Sequence, residues 1–98
     1  MTGKQRAALR KASMEIDTVF QVGKGGVEPS VVKATADCLA ARELIKLRVL
    51  ENSPLGTRDV AEQMAERTGA QVVLVRGRTF VLFLPKKKGS AFEEIGRL

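Results

Sequence analysis

Two hydrophobic periods alternate along this chain, and that alternation is what most narrows the folds open to it. Thr18 to Val22 is a short β-branched and aromatic run, closed by Gly23, and reads as a buried strand. Leu44 to Leu50 alternates, with Ile45, Leu47 and Val49 on one face and Lys46 and Arg48 on the other, as a half-exposed strand should. Gln71 to Val75 and Thr79 to Leu84 are two more strands, joined tightly through Arg76-Gly77-Arg78 as a hairpin. Between and before them the period lengthens to that of a helix. Thr2 and Gln5 have capping-box spacing, and Leu9, Ala12 and Ile16 then mark a first helix over about residues 3 to 14. Pro29 opens a second helix after Glu28, with Val32, Ala36 and Leu39 as its stripe and Cys38 beside it as a small core residue. Thr57 caps a third, with Val60, Ala61, Met64 and Ala65 inward, and Gly69 ends it.

The resulting order, α-β-α-β-α-β-β, implies an α/β (α+β) fold. Helical connections favour parallel strands, whereas the final hairpin must be antiparallel, so the sheet is four-stranded and mixed. Residues 1–84 form one domain. Beyond Pro85, the run Lys86-Lys87-Lys88-Gly89-Ser90 opens a basic tail over 85–98, expected to be mobile and to end in a helical turn.

Composition removes most enzymatic chemistry. The chain has no histidine and a single cysteine, Cys38. Self-contained zinc sites, Ser-His-Asp and Cys-His centres are therefore excluded, as is an internal disulfide. The expectation is a protein that is not an enzyme and carries no cofactor, metal or small-molecule substrate. No apolar run approaches the ~20 residues of a membrane helix, and the charged start, Met1 to Lys11, lacks a leader's apolar stretch. A cytoplasmic protein without a membrane partner is expected.

The formal charge of +6 points instead to a polyanion. It is unevenly placed: residues 1–48 carry a net +4, residues 49–69 a net −2, and residues 70–98 a net +4. Within the first block, Gly23-Lys24-Gly25-Gly26 lies between a strand and a helix start. Glycines let backbone approach a ligand closely, helix-start N–H groups attract anions, and Lys24 adds a mobile charge. The G-x-x-G spacing is also that of KH domains, which clamp a nucleic-acid backbone with it. Nucleotide-binding loops do not fit: Glu28-Pro29 stands where a phosphate loop needs Gly-Lys, and Glu28 also replaces the third glycine of a dinucleotide fingerprint.

Four pieces in unbroken order widen this reading: Thr2-Gly3-Lys4-Gln5-Arg6, Val22 through Gly26, Arg42-Glu43-Leu44-Ile45-Lys46, and Gly77-Arg78-Thr79. Over residues 2–84 the chain resembles the YhbY family, bacterial single-domain members of the CRM (chloroplast RNA splicing and ribosome maturation) group. The resemblance implies a fold like the C-terminal domain of initiation factor three. It also implies RNA binding through the G-x-x-G loop, association with precursor large ribosomal subunits, and a role in ribosome assembly. The last strand departs from the family, whose members finish it with an aromatic and then a basic residue, because Leu84 follows Phe83 here.

The RNA-binding candidates are then Gly23, Lys24, Gly25 and Gly26 with the second helix's first amides. The outward Lys4, Arg6, Arg10 and Lys11 of helix one, and Lys33 of helix two, widen the surface. Lys46 and Arg48 read as a solvated sheet face, and Arg76 and Arg78 as a hairpin tip. With Phe20, Phe80 and Phe83 in apolar runs, only Phe92 remains as a stacking platform, so recognition should rest on RNA backbone and shape. Two alternatives stay open on the residues alone. One is a protein-interaction or translation-factor-like module that meets RNA incidentally; the other is a general DNA-binding protein.

Overall fold

The computed structural model describes residues 1–98 and carries the expected mixed sheet. In chain order the elements are α1 (Gly3–Ser13), β1 (Thr18–Val22), α2 (Pro29–Arg42), β2 (Leu44–Val49), α3 (Thr57–Thr68), β3 (Gln71–Arg76), β4 (Thr79–Phe83) and α4 (Glu93–Gly96). The strands lie in the order β1-β2-β4-β3. Strands β1 and β2 pair in parallel, as a helical connection requires, while β4 pairs antiparallel with both β2 and β3.

The capping box at the start of α1 forms as read. Thr2 Oγ1 accepts from the Gln5 N–H at 3.1 Å, and Gln5 Oε1 accepts from the Thr2 N–H at 2.8 Å. Three local expectations need correction. Helix α3 begins one residue earlier than Thr57 implies: Gly56 is its cap, its carbonyl accepts from Val60, and Thr57 already has helical geometry, so its hydroxyl does no capping. In α2 the buried residues are Thr35 and Leu39, with Val31, Val32 and Cys38 half-buried, while Ala36 is exposed. Thr35 tolerates burial because its hydroxyl donates to the Val31 carbonyl at 2.8 Å. Finally, β1 is not a fully buried strand. It forms a sheet edge with a neighbour on one side only, and of its five residues Val22 alone is buried.

Two apolar clusters follow from the alternation. The larger lies on the α2/α3 side of the sheet and includes Leu39, Ile45, Leu47, Val60, Met64, Phe80 and Leu82. The smaller, on the opposite face, joins Leu9 to Leu44, Val73, Val81 and Phe83, with Phe92 and Ile95 packed against it. Those last two residues correct the reading of the tail. The chain after Pro85 folds back over α1 instead of trailing from the domain, and Phe92 meets Phe83 edge-on with ring centres 5.5 Å apart. Such a pair adds about 1 kcal/mol to the apolar area it buries.

Candidate nucleic-acid interface

The glycine loop forms where β1 ends and α2 begins. Its turn is closed by the Gly26 N–H donating to the Gly23 carbonyl at 2.9 Å. The four positions divide into two kinds. Gly26 is buried with φ +61, a conformation costing about 1 kcal/mol for a side chain, and an added Cβ would stand 3.1 Å from Pro54. Gly23 fits close beneath Asn52 and Leu50, where a Cβ would lie 3.3 Å from Asn52 Oδ1. The outer glycines thus seat the loop on the β2–α3 connection, and Arg67 adds a tether by donating to the Val27 carbonyl at 3.3 Å. Lys24 and Gly25 are left exposed at the tip.

Helix α2 presents its start beside this tip. Pro29 occupies its first turn and has no N–H, and Glu28 makes no side-chain capping bond. The Ser30 and Val31 amides accordingly have no backbone or capping partner within the chain, which is the donor set an anion at a helix start needs. The Glu28 carboxylate lies over Gly25, in the space a Cβ at that position would fill. A negative charge therefore rests beside the place where a phosphate would sit.

Strand direction fixes what else shares this end of the sheet. Because β1 and β2 run parallel and β4 antiparallel to β2, the glycine loop, the Leu50–Gly56 connection and the β3–β4 hairpin all emerge together. The Leu50 N–H donates to Val22 and the Val49 N–H to Arg78, at 2.9 and 2.6 Å, tying the three segments. Arg78 is partly neutralised by Glu51, 3.2 Å away. Arg48 and Arg76 are exposed and form no salt bridge. The sequence reads Arg48 as part of a solvated sheet face and Arg76 as part of a hairpin tip, and alternation alone does not say which strand ends meet.

The α1 candidates fall elsewhere and do not act alike. Lys4, Arg10 and Lys11 are exposed, as read. Arg6 is not an outward residue: its guanidinium donates to the Val72 and Val73 carbonyls at 2.7 and 3.0 Å, satisfying two backbone acceptors at an irregularity in β3. It is half-buried, and its Nη1 serves the fold. The start of α1 lies at the far end of the sheet from the glycine loop, where Gln5, Gln71, Phe83 and the tail line a cavity of about 730 Å³. Lys33 projects from α2 but pairs with Asp37 at 3.1 Å across one helical turn, an exposed pair worth a few tenths of a kcal/mol. Phe92, the stacking candidate, is taken up by Phe83.

Glu43, which sequence reasoning places only within the Arg42–Lys46 segment, has a structural role. It ends α2 at φ +67, the one non-glycine residue with positive φ, and is 2% exposed. Its carboxylate accepts from Ser90 Oγ, from the Ala91 N–H at 3.0 Å and from the Lys86 N–H at 3.3 Å. Burial works to raise its pKa. The hydrogen bonds from Ser90, Ala91 and Lys86, with the Lys86 charge, outweigh that and hold the group below the ordinary carboxylate value. An acidic residue between an amphipathic helix and an apolar strand would ordinarily be read as solvated.

Fold and site together define a small α/β module with a glycine loop at a parallel strand–helix junction, set on a positively charged sheet end. The fold and the sequence have counterparts. Residues 1–83 match the CRS1 / YhbY (CRM) domain, and the chain belongs to that family. It is 41% identical over 93 residues to "Probable RNA-binding protein YqeI" of Bacillus subtilis, covering 95% of this chain and 97% of that one. It is 35% identical over 89 residues to "Probable RNA-binding protein MJ0652" of Methanocaldococcus jannaschii, covering 89% of this chain and 66% of the longer relative. Among solved structures, the solution structure of the hypothetical protein SAV1595 from Staphylococcus aureus superposes with a TM-score of 0.78 at 38% identity, covering 92% and 94% of the two chains.

Proposed function

We propose that this protein binds RNA without catalysing a reaction, and that its target is ribosomal RNA in precursor large subunits, whose assembly it assists in the cytoplasm. The observation that carries the reading is the glycine loop, with an exposed Lys24 and two unpartnered helix-start amides. A phosphate held there receives charge-assisted hydrogen bonds from fixed donors, so little ordering remains to be done on binding. The family and the names of its relatives support RNA as the polyanion. The ribosomal target rests on the family resemblance together with the absence of stacking aromatics, which suits a structured RNA read through its backbone.

The test compares affinity for a structured large-subunit ribosomal RNA fragment and for duplex DNA of equal length, across a salt series. With about four to six phosphate contacts, log K for the RNA should fall with log salt at a slope of roughly −3 to −5. In parallel, the protein should co-sediment with precursor large subunits. Equal affinity for both nucleic acids would favour the DNA-binding alternative. Salt-independent affinity would remove the basic surface as the binding surface.

A further inference from the structure

Strand register assembles a feature that no single segment of sequence contains. Gln21 is opposite Arg48, Arg48 opposite Thr79, and Thr79 opposite Arg76. Directly paired residues project to the same face, so these four side chains form one row across all four strands. The row lies at the hairpin end of the sheet, and its β1 end runs within two residues into the glycine loop. Helices α2 and α3 pack on the opposite face, and α1 covers this face around Leu44, Val73, Val81 and Phe83. Gln21, Arg48 and Arg76 stay exposed.

The fold gives no account of the charges in that row. Arg48 and Arg76 flank Thr79 at two strand spacings, about 10 Å, without a carboxylate among the four positions. Thr79 turns its hydroxyl to the Arg76 carbonyl, at 3.0 Å, and so does not pair with either guanidinium. Elsewhere on the surface Lys33, Arg58 and Arg97 each meet an acidic residue one helical turn away. Two unpaired like charges on a rigid strand frame repel each other weakly and stabilise nothing within the chain.

Building on the RNA-binding reading above, we propose that Gln21, Arg48, Thr79 and Arg76 form a second contact zone for the same RNA. A single strand leaving the glycine loop would run across the sheet end from β1 to β3. The guanidiniums suit this role because they bond phosphate in a fork and can also lie flat against an unstacked base. The row spans roughly 14 Å, three strand spacings, which is room for more than one nucleotide.

The test measures affinity for a mixed-sequence single-stranded RNA with three proteins: wild type, the double variant Arg48→Gln/Arg76→Gln, and a charge-matched control, Arg58→Gln/Arg97→Gln. All positions are exposed, so thermal transitions should agree. The sheet variant should bind about tenfold more weakly, with the salt slope smaller by about 1.4, two contacts at ~0.7 each. The control should change affinity by less than about twofold. Equal behaviour of the two variants would overturn the proposal. Should wild type bind RNA and Lys24→Asp lose that binding while the sheet variant matches the control, the second zone alone would fall. Should wild type bind the structured ribosomal fragment but not this strand, the second zone would fall; should it bind neither, the functional reading would fall with it.

Discussion

The two ends of the sheet are both basic, yet their charges are held in different ways. At the hairpin end, Lys24, Arg48 and Arg76 stand on strands and a glycine-pinned turn, without acidic partners. At the opposite end, Arg6 gives its Nη1 to two backbone carbonyls, and the Lys86 backbone N–H is fastened by Glu43. One end has cations that the fold does not use. The other has one cation, Arg6, and a buried anion, Glu43, that complete the fold, while the Lys86, Lys87 and Lys88 side chains stay exposed. Net charge by segment, +4 at both ends of the chain, does not separate these cases; hydrogen-bond partners do.

The largest expected effect breaks this comparison at the loop. Lys24→Asp should weaken RNA binding by roughly tenfold to a hundredfold while stability changes by no more than about 0.5 kcal/mol, since the position is exposed. Affinity measured beside a denaturant melt would show both. A folded variant with wild-type affinity would transfer the role to Lys4, Arg10 and Lys11. Aspartate at Gly25 is the poorer probe, because its Cβ would displace Glu28.

Glu43→Ala should do the reverse. It strips acceptors from Ser90, Ala91 and Lys86, so stability should drop by about 2 kcal/mol, or about 10 °C in Tm, while RNA affinity moves less than twofold. Removing residues 86–98 should also lower Tm, by uncovering Leu9 and Phe83. An unchanged transition in either variant would mean that the tail contributes nothing to the domain.

Acid sharpens the contrast within one protein. A carboxyl whose pKa is depressed by folding contributes stability that is complete above the ordinary carboxylate value, and loses it as pH falls through the lower folded value. The Ser90 and Ala91 amide signals should therefore hold steady through the ordinary carboxylate range and shift only at lower pH. An NMR titration checks this, and movement of these signals within the ordinary range would contradict it.

The smallest effect concerns Glu28. With its carboxylate over Gly25, Glu28→Gln should raise RNA affinity by about twofold to threefold, the scale of one exposed charge interaction. Weaker binding would instead make Glu28 a contributor to the site.

Much of this was legible beforehand. Periodicity and short β-branched or aromatic runs marked every strand and the three long helices. The capping box at Thr2 and the stop at Gly69 were readable because their chemistry is local. The loop was legible as glycines at a strand–helix junction. What stayed hidden depends on pairs distant in sequence. The alignment of Arg48 with Arg76 needs a register, the use of Arg6 needs the irregularity in β3, and the burial of Glu43 needs a segment more than forty residues later. Phe92 similarly looked free because nothing near it in sequence marks Phe83 as its neighbour.

The Glu43 anchor also sets an order of events. Its partners lie 43 to 48 residues downstream, so no acceptor–donor match exists until nearly the whole chain has left the site of synthesis. Until then the carboxylate is free to stay hydrated, and at φ +67 Glu43 is held only through its backbone, which caps α2 at Leu39 and accepts from Leu84. The sheet can form first, drawing on contacts already present. Closure of the C-terminal segment then comes last, as a latch that desolvates the carboxylate and fixes the backbone around it in one step. A nascent or truncated chain would thus present a finished glycine loop on a domain whose far end is still open.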